Sequence, residues 1–280
     1  MNFLKIIEIP IMHVTHINAD PDSFAGVLWG KEVFGGCTFI DNPDIATKNL
    51  MKKIGFRERK CKSFTLAFFY DVDKLERMPC FPERVVVFDH HPKNVFLNLN
   101  DDKVKVFHRK RASLSMYLYD ISSDAGINLS DDVLISFAAA IVTDTAFLRT
   151  ARSEELLYLS KFLDGRKMED IFEIVLGGRI SWKEFLLDLN RIKFCKDICY
   201  GDFSNENHFL FFVDSIMYAL SCKIVVGRFK WGIWVYTKKE HIQEVFSRLK
   251  ALGRDGYVRK GGKLYGIKDM EEIVAKLCDV

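Results

Sequence analysis

Apolar residues come in short unbroken runs through the first half of the chain, with amphipathic stretches between them. Ile11–Thr15, Cys37–Ile40, Phe64–Tyr70 and Arg84–Phe88 read as buried strands, and Asp22–Phe34 and Pro43–Ile54 as helices between them. This alternation predicts an α/β fold, a parallel sheet with helices on both faces. Such a sheet receives ligands beyond the carboxyl ends of its strands. Lys103–Phe107 adds an edge strand, and Ser113–Ser122, Ser130–Val142 and Ser153–Leu163 follow as helices. Ser130 is a good N-cap, with Asp131 and Asp132 in the first turn behind it.

Lys167–Val175 reads as a helix ending at Gly177–Gly178, and Trp182–Asp197 as another. A polar loop, Tyr200–Asn207, then marks a division into residues 1–200 and 201–280, with the helix before it as an alternative linker. Beyond the loop, His208–Val213, Lys223–Gly227 and Gly232–Tyr236 read as strands and His241–Leu252 and Asp269–Leu277 as helices, giving a smaller α/β domain. The sequence contains no long repeat and no low-complexity segment.

With 280 residues, 49% of them hydrophobic, the chain has ample material for a core. Its 41 basic and 38 acidic residues leave a formal charge of +3, which excludes a polycation-type binder and makes any phosphate binding local. The seven cysteines form no Cys-x-x-Cys pair and are expected to be reduced and mostly packed; Cys195 and Cys199, one helical turn apart, suit packing better than metal binding. Met1–Met12 carries Lys5, Glu8 and Pro10, which fits a first strand better than a signal peptide, and no apolar segment approaches the ~20 residues of a membrane span. A cytoplasmic protein is expected. Gln243 is the only glutamine, a compositional hint of a thermophilic or AT-rich source.

Four clusters of acids and imidazoles end apolar runs read as buried strands. They are His16-Ile17-Asn18-Ala19-Asp20-Pro21-Asp22, Asp71, Asp89-His90-His91, and Asp144 within Thr143-Asp144-Thr145, although the run before Asp144 also reads as the helix Ser130–Val142. Taken alone, Asp20 and Asp22 would suit a turn or helix cap. Desolvating so many ionisable groups without compensation is costly, and a pair of divalent ions is the economical common partner. Oxygen donors suit Mg2+ and Mn2+ while imidazole shifts the preference to Mn2+ or Co2+, against a structural zinc. Four carboxylates sum to about −4, which would repel a phosphate unless two dications cancelled it.

In this order the motifs resemble the DHH/DHHA1 phosphoesterase superfamily, which includes RecJ exonucleases, short-oligonucleotide and pAp-hydrolysing enzymes, cyclic-dinucleotide phosphodiesterases and family II inorganic pyrophosphatases. The resemblance covers about residues 10–155. It implies one Mn2+ on His16, Asp20 and Asp71 and a second on Asp22, Asp71, His90 and Asp144, with Asp71 bridging and Co2+ or Mg2+ as substitutes. Asp73 is the alternative to Asp71. It further implies that Asp89 orients an imidazole and that His91 faces the substrate phosphate. Arg149 and Ser153 match substrate-binding positions, Arg149 being equally readable as an exposed arginine leading a helix. The basic run His108-Arg109-Lys110-Arg111 reads as a solvated loop, or as an edge of a nucleotide cleft.

In the smaller, DHHA1-like domain the family's Gly-Gly-Gly-His motif is replaced by Gly253–Gly262, in which Arg254, Arg259 and Lys260 could take over anion binding. A plain hairpin over Arg259–Leu264, turning at Gly261–Gly262, is nearly as good a reading. The implied function is a Mn2+-dependent hydrolase of short oligonucleotides or small nucleotides such as pAp or pApA, exonuclease action included. His16-x-Asn18-x-Asp20-x-Asp22-Ser23 keeps a family II pyrophosphatase open, although the sequence has no counterpart of the Ser-Arg-Lys-Lys signature. A non-catalytic RecJ-related subunit is the third alternative, and 280 residues leave little room for the OB-fold of long-strand exonucleases. A homodimer is open, and no membrane partner is expected.

Overall fold

A computed structural model describes residues 11–59, 61, 63–99, 101–176, 182–204, 209, 212–213, 217, 222–230, 232–237, 241–251, 261–265 and 269–278. The strand proposed before Ile11, the helix end at Gly177–Gly178, and Arg254, Arg259 and Lys260 lie outside the described residues. The chain divides into two units between Gly178 and Arg179.

The first unit contains β1 (Ile11–Val14), β2 (Cys37–Phe39), β3 (Leu66–Tyr70), β4 (Arg84–Asp89) and β5 (Val104–His108). They form one parallel sheet in the order β2-β1-β3-β4-β5. Its helices are α1 (Pro21–Phe34), α2 (Ile45–Lys53), α3 (Leu114–Asp124), α4 (Asp131–Asp144), α5 (Ser153–Leu163) and α6 (Met168–Leu176). The first four begin where Asp20, Asp44, Ser113 and Ser130 accept hydrogen bonds from amides that the helix leaves without partners.

Side chains alternate across the sheet as the pleat requires. Phe68, Tyr70 and Phe88 pack with Phe24, Val27 and Trp29 of α1 and with Phe137 and Ile141 of α4. Ala67, Phe69, Val85 and Val87 face the other way, with Met12, Val14, Met78 and Phe96. Two short 3-10 helices, Leu75–Arg77 and Val95–Asn98, lie in the segments that supply Met78 and Phe96 to that side. Each large side chain fully buried here contributes about 1.5–3 kcal/mol.

α1 sits unusually close to β1 and β3. A Cβ on Gly30 would lie 1.9 Å from Tyr70 Oη and 2.4 Å from His13 Nδ1, and one on Gly26 would lie 2.6 Å from Tyr70 Cβ. Under this contact His13 and Tyr70 form a buried pair. His13 Nε2 donates to the Gly35 carbonyl at 2.7 Å, so Nδ1 accepts from the Tyr70 hydroxyl at 2.8 Å.

The second unit contains α7 (Trp182–Leu189), β6 (Lys193–Cys195), β7 (Ile198–Asp202), β8 (Ile224–Phe229), β9 (Gly232–Thr237), α8 (Ile242–Ala251), β10 (Gly261–Tyr265) and α9 (Met270–Cys278). Its sheet runs β10-β9-β8-β7-β6, with β7 and β8 parallel and the other neighbours antiparallel. One face packs Val226, Ile233 and Val235 against Val245, Leu249, Ile273 and Leu277. The other packs Cys199 and Val225 against Phe209, Phe212, Val213 and Met217.

Several expectations for this part of the chain change. The helix expected over Trp182–Asp197 stops at Leu189, and Lys193–Asp202 pairs as two strands of the second sheet, so the division falls before the loop at Tyr200. Phe209, Phe212 and Val213 are helical where the strand His208–Val213 was expected, as is Met217 beyond it, and their i, i+3, i+4, i+8 spacing lays them along one helix face. Gly261 and Gly262 open β10 opposite Tyr236 and Val235 instead of forming a hairpin turn. Cys37 and Cys61 are disulfide-bonded, as are Cys195 and Cys278, with Cα separations of 5.6 and 6.6 Å. Of the other three, Cys199 and Cys222 are buried thiols, as expected of packed cysteines.

Candidate metal centre

Strand order reverses between β1 and β3, and in an open parallel sheet the crevice beyond that point is the natural ligand site. His16 follows β1 and Asp71 follows β3 directly, while Asp89 ends β4 with His90 and His91 next. Asp20 caps α1, its Oδ1 accepting from the Ser23 amide at 2.9 Å, and Asp22 lies in the first turn, where the helix dipole favours a carboxylate. Asp144 is the last residue of α4, so the fourth cluster ends a helix and not a strand. There the dipole disfavours its charge.

Asp71 takes a left-handed backbone conformation, φ 60°, while its amide still donates to the Phe88 carbonyl at 2.9 Å. Backbone strain of this kind collects at functional sites, and here it turns the carboxylate out of the strand's alternation. Asp71 Oδ2 lies 3.4 Å from His16 Nε2, which is 3.2 Å from Asp20 Oδ2. Asp71 Oδ1 lies 3.1 Å from His90 Nε2, which is 3.5 Å from Asp22 Oδ2 and 3.9 Å from Asp144 Oδ2. Donor atoms of His16, Asp20 and Asp71 lie within 4.8 Å of one another, as do those of Asp22, His90 and Asp144. The two oxygens of Asp71 therefore face one group each.

Outer contacts aim these side chains. His16 Nδ1 donates to the Ile17 carbonyl at 2.8 Å and His90 Nδ1 to the Arg111 carbonyl at 3.0 Å, which turns both Nε2 atoms inward. The imidazole that Asp89 orients is His91, whose Nδ1 lies 2.8 Å from Asp89 Oδ1 and 3.2 Å from Asp71 Oδ1. Asn94 holds Asp89 from behind at 2.8 Å.

Asp73 stays outside these groups, paired with Arg77 Nη1 at 3.1 Å. Arg77 escaped the sequence reading. Its Nη2 reaches within 3.9 Å of Asp71 Oδ2, and its carbonyl accepts from the Ile17 amide at 2.8 Å. The only sequence signal for it was the i, i+4 spacing from Asp73.

Burial opposes ionisation of Asp71, but the imidazoles of His16, His90 and His91 beside it hold its carboxyl well below the usual range. Burial likewise opposes a charged His16, yet Asp20 and then Asp71 raise it to about 10. His90 is raised well above the ordinary value because Asp71, Asp22 and Asp144 outweigh its burial. Asp144 is pushed far up by burial and by the charge of Asp22. His16 Nε2, Asp71 Oδ1 and Asp144 Oδ2 are buried without a hydrogen-bond partner. Orphaned donors and acceptors of this kind are rare, and two cations, one held by each group, would satisfy all three. The residues present fit a pair of divalent ions.

Arg149 is exposed just past Asp144, in a turn whose residues Ala146, Phe147 and Leu148 are all left-handed, and its Nε donates to the Ala146 carbonyl at 2.8 Å. Ser153 is exposed at the first position of α5. Neither is among the residues whose donor atoms converge on Asp71. The run His108–Arg111 is no free loop. His108 Nε2 donates to the His91 carbonyl, and Arg109 and Arg111 pair with Asp120 at 3.1 and 2.9 Å.

The fold is one that several solved structures share. Among solved structures, this chain is similar to a Methanococcus jannaschii protein described as a family II inorganic pyrophosphatase, with TM-score 0.54 and 14% identity over 95% of this chain and 98% of that one. It is equally similar to RecJ from Thermus thermophilus in complex with Mn2+, with TM-score 0.54 and 12% identity, covering 95% of this chain and 51% of that one. A manganese-bound exonuclease RecJ matches with TM-score 0.54, 10% identity and coverages of 95% and 89%. No protein-family model and no curated protein matches the sequence.

Proposed function

We propose that this chain is a metal-dependent phosphoesterase that hydrolyses short oligonucleotides or small nucleotides such as pAp or pApA, using two Mn2+ ions with Co2+ or Mg2+ as substitutes. The observation that carries this reading is the pair of donor groups that the two oxygens of Asp71 face, one through His16 and one through His90, with three buried polar atoms left without partners. His16, Asp20 and Asp71 would hold one ion and Asp22, Asp71, His90 and Asp144 the other. Such ions supply Lewis acidity at phosphorus and a nucleophile at neutral pH. Asp89 fixes the His91 ring through Nδ1, leaving Nε2 as its other polar atom for a phosphate oxygen. Arg149 and Ser153 would contact the substrate phosphate. The smaller unit, with Arg254, Arg259 and Lys260, would bind the rest of the substrate, and the protein would act in the cytoplasm. No helix among the described residues is long and apolar enough to cross a membrane.

A family II pyrophosphatase is the second reading, favoured by the 98% coverage of that similar structure and by Asn18 and Ser23 in the first motif. The test is an assay with Mn2+ against a di- to pentanucleotide ladder, pAp, cyclic dinucleotides and pyrophosphate. Cleavage of the nucleotides is expected, and release of phosphate from pyrophosphate alone would hand the site to the second reading. Asp71→Ala and Asp144→Ala should each lower turnover by several orders of magnitude, on the order of 10³-fold or more, while Asp73→Ala is mild. Fewer than two Mn2+ bound per chain, with nucleic-acid binding indifferent to chelator, would instead indicate a non-catalytic subunit.

A further inference from the structure

We propose that the peptide Arg111–Ser115 is the positioning element of the second metal group, fixing Asp22 and His90 together and setting that group's affinity, while the His16 group, joined to it only through Asp71, is held by other contacts. This rests on the two-metal reading above.

Asp22 is fully buried, and its two oxygens are unequally engaged. Oδ1 accepts from Ser113 Oγ at 2.8 Å, Ser115 Oγ at 2.7 Å and the Ser115 amide at 3.1 Å. Oδ2 accepts from the Leu114 amide at 2.6 Å and lies 3.5 Å from His90 Nε2. With three donors on Oδ1, only Oδ2 is left to serve an ion, so Asp22 is held as a monodentate ligand. Just before these donors in the chain, the Arg111 carbonyl accepts from His90 Nδ1 at 3.0 Å and fixes the ring whose Nε2 faces the same group. The peptide is itself anchored, because the Arg111 guanidinium pairs with Asp120 of α3 at 2.9 Å and with Glu154 of α5. Two ligands of one group thus hang from five consecutive residues. The His16 group has no share in this support: Asp20 is held by the Ser23 amide and His16 by the Ile17 carbonyl.

Asp22 consequently has a second employment as the acceptor for the first turn of α3. Asp144 has none of this kind: its Oδ2 is orphaned and it sits at the unfavourable end of α4. In metal-free protein, Asp22→Ala should therefore lower the unfolding midpoint, and Asp144→Asn should raise it. An unchanged or raised midpoint for Asp22→Ala would overturn the assignment.

The deciding experiment is a Mn2+ titration of the full chain, followed by calorimetry and electron paramagnetic resonance, on wild type, Ser115→Ala and Ser115→Thr. Loss of an outer partner typically costs about 10–100-fold in metal affinity. Ser115→Ala should weaken one of two Mn2+ sites by about 10-fold or more, leaving the other unchanged, and Ser115→Thr should restore it. Two sites unchanged, or both weakened equally, would overturn the proposal while leaving the two-metal reading intact. A wild-type chain that does not bind two ions would instead remove that reading, and this proposal with it. If Ser115→Ala does not fold, Arg111→Met loosens the same peptide through its anchor, and a failure to show the one-site weakening there would be equally fatal.

Discussion

His13 and His16 lie within one turn of chain, yet they are tuned in opposite directions. Burial, only partly offset by the hydrogen bond to Gly35, pushes His13 down to about 4, against about 6.5 for an unfolded chain. Between those values the unfolded chain holds a proton that the fold rejects, so this contribution is complete above pH 6.5 and is lost as pH falls through 4. The gap corresponds to about 3 kcal/mol. His16, raised to about 10, has the reverse sign: its contribution is complete below pH 6.5 and is lost as pH rises through 10. In urea unfolding of chelated protein at pH 4.5 and pH 7, His13→Gln should lose less stability on acidification than wild type does, whatever the opposite pull of His16, His90 and Asp144. An equal loss in His13→Gln would place the acid sensitivity elsewhere.

At the scale of elements, the start of α1 brings the carboxylates of Asp20 and Asp22 to the sheet, and it can do so only because Gly26 and Gly30 let its backbone touch Tyr70 and His13. Replacing a helical glycine with alanine ordinarily stabilises by about 1 kcal/mol. At Gly30 the added methyl would collide with two buried, hydrogen-bonded side chains, and overpacking of that kind costs about 1–3 kcal/mol. Gly30→Ala should lower the melting temperature, and a raised one would mean that the helix can shift away without loss. The strands of the first unit were legible because a parallel sheet buried on both faces writes each strand as a short apolar run with its ligands at the end. The sequence reading also brought His16, Asp20, Asp22, Asp71, His90 and Asp144 forward as a set, whereas their supports were hidden. Ser113 and Ser115 serve Asp22 from 91 and 93 residues away, a distance over which no spacing rule operates. The strand expected over His208–Val213 fails for a simpler reason: the helical spacing of Phe209, Phe212 and Val213 falls inside a dense apolar stretch that looks continuous. The two disulfides join cysteines 24 and 83 residues apart, and no motif marks either pair.

For the whole molecule, a near-balanced charge of 41 basic and 38 acidic residues means that the carboxylate-rich crevice is not offset by a general positive field. Its compensation has to be local. The donors come from segments spread between residues 16 and 144, in a sheet whose order β2-β1-β3-β4-β5 makes its strand pairs non-local. Closing such long loops costs entropy before any donor meets another, and without a cation the assembled carboxylates repel. The crevice should therefore take shape after the rate-limiting step of folding. A ligand that grips only a late-formed feature acts on the return path: Mn2+ should slow unfolding while leaving the refolding rate nearly unchanged, as stopped-flow mixing with and without chelator would show. Faster refolding with Mn2+ would mean the crevice forms early. On the kinetic account, cation supply governs the lifetime of the folded chain, and with it its exposure to proteolysis, more than its yield.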